Sequence, residues 1–211
     1  MTTPTLPMRL YYNPFSSSAR RVVLLVHQLG LNVELCLIKN LRDPVERAAL
    51  VQLNANAKIP VLQHGDFVLW ESNAIMQYLA DLTPGQTIYP SELRARADVN
   101  RWLFWAAQHW ASALGALTWE RWMKGLFGMG AADPNIVARG EQEFAQFAKV
   151  LDEHLAGRAW VSGPALTIAD FSLATPLMRV KEAAIPLADY PNLAAWFARV
   201  EALDAWKKTN P

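Results

Sequence analysis

The apolar positions of the first eighty residues change period several times, and each change marks an element. Arg9-Leu10-Tyr11-Tyr12 is short, apolar and aromatic, which predicts a strand. Asn13-Pro14-Phe15-Ser16-Ser17-Ser18 supplies a turn and then candidate helix caps. Val22, Leu25, Val26 and Leu29 recur at helical spacing, and Gly30 ends the pattern. Residues 33–38 predict a second strand, and residues 45–53 a short helix after Pro44. Val61-Leu62 and Phe67-Val68-Leu69 flank Gly65-Asp66, the chemistry of a tight hairpin, with Pro60 opening its first strand. Ile75, Met76 and Leu79 then predict a helix with Ser72 as its N-cap. The order is β-α-β-α-β-β-α. Its first strand-helix-strand unit makes a parallel pair with a right-handed crossover, and the hairpin adds an antiparallel edge.

Residues 81–90, with two prolines and a glycine, break the periodicity, and everything after them reads as helix. A long amphipathic pattern runs from residue 91 to about 117, a second from about 135 to 155, a third from Thr167, and a last one over about 193–206. A domain boundary is expected within residues 82–92, giving domains at 1–83 and 91–211. Thr167 and Asp170 have capping-box spacing. Pro176 lies inside the third pattern and is expected to kink it or end it early.

Charge and cysteine usage narrow the function. The 211 residues carry 20 basic and 19 acidic side chains, a balance that argues against a nucleic-acid or acidic-membrane partner. One cysteine, Cys36, allows neither an internal disulfide nor a multi-cysteine metal site, and the four histidines lack metal-ligand spacing. No apolar run approaches the roughly 20 residues of a membrane span, and the first residues lack the basic start and apolar run of a signal peptide. A cytoplasmic protein without a bound metal is expected.

Residues 58–75 carry a family resemblance. Lys58-Ile59-Pro60-Val61-Leu62, the hairpin, then Glu71-Ser72 and Ala74-Ile75 resemble the glutathione-binding half of the glutathione transferases. Thr167-Ile168-Ala169-Asp170-Phe171 is similar to that family's capping box, a structural device. Residues 11–22 are similar to the active-site loop of the serine-type, theta- and zeta-like classes, and the Ser-x-x-x-Arg spacing puts Ser16 at the catalytic serine. Ser17 and Ser18 follow immediately and leave a shift by one open. The resemblance implies a thioredoxin-like α/β N-terminal domain plus an all-α C-terminal helical domain. It implies a cis bond before Pro60 and a homodimer serving detoxification.

The resemblance also assigns roles. Ile59 would pair its backbone with the cysteinyl residue of glutathione, Glu71 and Ser72 would hold the γ-glutamyl end, and Lys58 would meet the glycyl end. Ser16 would donate a hydrogen bond to the sulfur; the bland reading is that these serines only cap a helix. Arg20 and Arg21 could raise the positive potential near sulfur, or could simply be solvated or ion-paired. Asp98 would face a neighbouring subunit's glutathione. The family's Asn-Pro-x-Gly turn is here Asn54-Ala55-Asn56-Ala57, with Asn56 the residue that tolerates positive φ. Five tryptophans cluster between Trp102 and Trp122; Phe15, Trp105, His109, Trp119 and Trp122 would line a site for a small hydrophobic electrophile, the alternative being helix-bundle core. Conjugation of glutathione to such an electrophile is the expected activity. A zeta-like cis-trans isomerase and a non-catalytic glutathione-binding module are the alternatives.

Overall fold

The computed structural model describes residues 6–210. They form two compact units: one through Gln86, joined by the segment from Asp204, and one over Thr87–Leu203.

The first unit opens with β1 (Met8–Tyr12), α1 (Ser17–Leu29), β2 (Glu34–Leu37) and α2 (Pro44–Leu53). β3 (Val61–His64), β4 (Phe67–Trp70) and α3 (Ser72–Asp81) follow. The sheet order is β2-β1-β3-β4, with β1 parallel to β2 and the other pairs antiparallel. The hairpin turns at Gly65, whose φ of 63° favours glycine; a Cβ there would also lie 2.9 Å from Leu6 Cδ1. α3 packs on β3, β4 and α1. Leu10, Leu62, Val22, Leu25, Ile75, Met76 and Leu79 are fully buried between these layers, each worth roughly 1.5–3 kcal/mol.

Two expectations change here. α1 is buried along the whole stretch from Ala19 to Val26, so Arg20 and Arg21 are enclosed rather than solvated. The expected last helix is two: α9 (Pro191–Glu201) and α10 (Asp204–Lys208), the second packed on α1. Pro191 and Asp204 mark separate starts that the run of apolar residues through Leu203 concealed.

The second unit is helical throughout. α4 (Leu93–Trp105), α5 (Ala111–Thr118) and α6 (Lys124–Leu126) follow one another through two wide π-helical turns, Ala106–Trp110 and Trp119–Met123. α7 (Pro134–Leu155) packs on α5 and α9. α8 (Ile168–Ala174) opens with the expected capping box and gives way to a 3-10 turn, Thr175–Arg179, at Pro176. Asp170 is fully buried there and accepts from the backbone N–H of Thr167 (2.8 Å), that of Val161 (2.9 Å) and the Trp196 indole (2.9 Å).

Candidate functional site

Sheet register brings three loops to one place. Tyr11 pairs with Val61, and Val61 pairs with Trp70. β1 runs into this row, β3 runs out of it, and β4 runs back into it. The residues after Tyr12, those before Val61 and those after Trp70 therefore share one end of the sheet. These are the Ser16 loop, Lys58-Ile59-Pro60, and Glu71-Ser72.

The first loop is built by Asn13. Its side-chain oxygen accepts from the Phe15 N–H (2.9 Å), its amide donates to the Ile38 carbonyl (2.8 Å), and its own carbonyl accepts from the Ser16 N–H (3.0 Å). Ser16 is the N-cap of α1 in extended backbone, and its hydroxyl accepts from the Ala19 N–H at 3.2 Å. A hydroxyl has one donor and two lone pairs, so a capping serine still has its O–H to give. Capping and donation to a sulfur are thus compatible roles of the same side chain. Ser17 and Ser18 lie inside the helix. No acidic residue lies in its first turn, and the free N–H groups there favour an anion.

The second loop hangs on Asn54, which is 3% exposed. Its amide donates to the Lys58 carbonyl (2.9 Å), and its side-chain oxygen accepts from the backbone and side-chain N–H groups of Asn56 (3.0 Å each). The left-handed residue is Ala57, φ 51°, not Asn56. The turn needs positive φ where the Ala57 N–H reaches the Asn54 carbonyl (2.8 Å), and the fold holds an alanine there. Ile59-Pro60 is cis. The Lys58 side chain is exposed and Ile59 is half-buried.

The third loop departs from expectation by one residue. Glu71, not Ser72, occupies the N-cap position of α3, with φ 73° and ψ 108° and no side-chain cap bond. The chain leaves β4 and enters α3 without a connecting loop, and Glu71 absorbs the reversal. Its carbonyl already accepts from the Ile75 N–H (2.9 Å), and Ser72 is the first helical residue, nearly buried. A non-glycine residue at positive φ marks local strain of the kind found at ligand clamps.

Two arginines of α1 serve these loops indirectly. Arg21 donates to the Asn73 side-chain oxygen (3.2 Å), linking the starts of α1 and α3. Burial lowers its pKa to about 10, against the opposing pull of the Glu71 carboxylate, so it is charged at neutral pH. Arg20 is committed to the segment from Asp204: it donates to the Trp206 carbonyl (3.2 Å) and to Thr209 Oγ1 (3.3 Å).

Phe15 is exposed beside Ser16. In the helical unit, half-buried Trp105 stacks near Trp110 (centroids 6.0 Å apart), and exposed His109 lies 5.2 Å from Phe147. Trp119 contacts Phe127 at 6.4 Å, and Trp122 lies under the Arg179 guanidinium at 4.6 Å. Trp102 and Trp110 are core, the latter bonded through its indole to the Leu173 carbonyl. Asp98 pairs with Arg101 and accepts from the Ser162 hydroxyl at 2.7 Å. Cys36 is half-buried in β2, where burial pushes its thiol pKa up, away from a reactive thiolate. Among the described residues no cluster of His, Cys, Asp and Glu could hold a metal, and no helix is long and apolar enough to cross a membrane. Sequence reasoning missed Asn13 and Asn54 as loop builders, although asparagine in a turn is itself the signal.

Residues 6–81 match the glutathione S-transferase N-terminal domain and residues 134–199 match the C-terminal domain. The chain is 30% identical over 203 residues to glutathione S-transferase theta-2 of Rattus norvegicus, covering 92% of this chain and 81% of that protein. It is 31% identical over 199 residues to theta-2B of Homo sapiens, with the same coverage. A solved delta-class glutathione transferase of Nilaparvata lugens superposes with a TM-score of 0.81 at 28% identity, over 97% of this chain and 93% of that one. Domain matches on both units and curated relatives along nearly the whole length agree with the three loops at one sheet end: the chain belongs to the glutathione S-transferase family.

Proposed function

We propose that glutathione lies across the shared end of the β1-β3-β4 row and is conjugated there to an electrophilic carbon. Family membership and the theta-class relatives support conjugation as the activity. The observation that carries the site is the register Tyr11–Val61–Trp70, which delivers the three loops together.

In this reading Ile59 meets the cysteinyl backbone and Lys58 the glycyl carboxylate. Glu71 accepts from the γ-glutamyl ammonium, while the Ser72 hydroxyl and the α3 N-terminus take its carboxylate. Ser16 donates its O–H to the sulfur at the N-terminus of α1. A free thiol has a pKa of ~8.5, so little of it is ionised at neutral pH. Lowering that by about two units takes roughly 2.7 kcal/mol of preference for the thiolate. Phe15 offers an apolar surface next to this position. Trp105, His109, Trp119 and Trp122 are the helical unit's candidates for selecting a small apolar acceptor. A homodimer and a cytoplasmic setting complete the proposal; sedimentation of the purified protein tests the dimer.

An isomerase acting on a small dicarboxylate would need cations open to that substrate. Arg20 and Arg21 are 2% and 3% exposed and already engaged, which favours conjugation. The deciding experiment is the pH profile of kcat/KM for aryl halide conjugation in the wild type and Ser16→Ala. The expected result is a lower rate with an apparent pKa raised by about one unit or more. An unshifted profile, or the same shift from Ser17→Ala, removes Ser16 from its role.

A further inference from the structure

Arg20 runs against the local electrostatics of its own helix. It lies in the first turns of α1, where the dipole disfavours a cation, and its side chain is almost completely buried. The guanidinium is placed 3.9 Å over the Trp206 ring and donates to the Trp206 carbonyl (3.2 Å), to Thr209 Oγ1 (3.3 Å) and to Asn210 Oδ1 (3.5 Å). The Trp206 carbonyl belongs to the last turns of α10 and also accepts from the Thr209 N–H and hydroxyl. A cation at that helix end is electrostatically favoured, and a planar guanidinium suits both the ring and the carbonyl.

The backbone of the same residue holds Ser16. The Arg20 N–H donates to the Ser16 carbonyl at 2.9 Å, and the Ala19 N–H donates to the Ser16 hydroxyl. One residue thus closes the helical turn that orients Ser16 and anchors the segment from Asp204.

We propose that Arg20 is a positioning residue for Ser16, and that residues 204–210 are through it a working part of the thiolate site. The inference rests on the assignment of Ser16 as the sulfur's hydrogen-bond donor. Loosening the segment frees the Arg20 side chain, lets the first turn of α1 fray, and misaims the Ser16 hydroxyl. The residues that hold the tripeptide's ends lie on other loops and keep their geometry.

The test is ultraviolet titration of the bound glutathione thiol, with KM for glutathione, in wild type, Ser16→Ala, Arg20→Met, Arg20→Lys, Trp206→Leu and Thr209→Val. Trp206→Leu and Thr209→Val keep the positive charge and alter only its anchor. The expected result is an upward thiol shift of about half a unit in Arg20→Met and Trp206→Leu, about a threefold lower thiolate-to-thiol ratio, with KM changed less than twofold. Thr209→Val should move in the same direction by less, and Arg20→Lys should recover part of the loss. Adding Arg20→Met to Ser16→Ala should shift the thiol no further, because both act through one hydroxyl. Should Arg20→Met fail to fold, Trp206→Leu and Thr209→Val still decide the matter. A normal thiol in both, despite lowered melting temperatures, makes the segment purely structural and overturns the proposal. A shift in Arg20→Met alone also overturns it, since the charge would then act directly. If Ser16→Ala itself leaves the thiol unchanged, the Ser16 assignment falls first.

Discussion

Asn54 shows what a single side chain does for this site. It is buried and joins three positions of the turn that leads to Ile59 and cis-Pro60. Replacing it with alanine leaves the Asn56 N–H and the Lys58 carbonyl without their protein partner, at roughly 0.5–1.5 kcal/mol per part-buried hydrogen bond lost. Asn54→Ala is expected to lower unfolding free energy by about 1–3 kcal/mol in urea and to weaken glutathione binding by calorimetry. Glu71 presents the opposite balance. Its φ of 73° costs about 1–2 kcal/mol for an L-residue, and its exposed side chain adds no core packing. Glu71→Gly should therefore unfold no more readily than the wild type while binding glutathione at least tenfold more weakly. Tighter or equal binding would take the carboxylate out of the ammonium site. Neither residue's conformation was readable from sequence. The spacing of apolar positions located the end of β4 and the start of α3, but which residue absorbs the reversal depends on how closely strand and helix are joined. Likewise Ala57 is held left-handed by the turn's hydrogen bond, against its own preference.

At the scale of elements, legibility followed the range of the determining interactions. The hairpin at Gly65-Asp66, the capping box at Thr167 and the stop at Pro176 depend on residues a few positions apart, and all three stand as expected. The π turn at Ala106–Trp110 leaves the apolar spacing nearly unchanged inside the pattern read from residue 91 to about 117, and the one at Trp119–Met123 lies just beyond that pattern. They reorient the aromatic side chains that a regular helix would have aligned. Asp170 carries more than its local cap: one carboxylate serves the start of α8, the backbone at Val161 and the indole of α9. Burial pushes its pKa up while those donors pull it down. Asp170→Ala leaves four buried donors unmatched, the Thr167 hydroxyl among them, and is expected to cost about 3 kcal/mol or more in chemical denaturation. Asp170→Asn, which keeps the shape but turns an acceptor into a donor, should recover only part of that. A loss below about 1 kcal/mol in the alanine variant would show that water replaces the carboxylate.

At the scale of the whole molecule, composition alone conveyed little beyond a chain of nearly balanced charge with one cysteine. The break in periodicity near residue 85 set the expected boundary, and the β-α-β-α-β-β-α succession implied one parallel pair and an antiparallel edge, while the order β2-β1-β3-β4 comes from the structure. The return of the chain's last described residues to the first unit was not legible, because α10 is short and continues the apolar pattern of α9. The first unit is accordingly assembled from two stretches of sequence separated by the whole of the second. A fragment of residues 1–86 is expected to melt below the intact protein, and a peptide of residues 204–211 added in trans should raise its transition. No effect of the peptide at millimolar concentration would mean the first unit is self-sufficient. During synthesis a ribosome adds roughly 5–20 residues per second and releases domains in order from the N-terminus. Here the earliest part of the nascent polypeptide must wait, with one flank of α1 uncovered, until residues 204–210 have emerged.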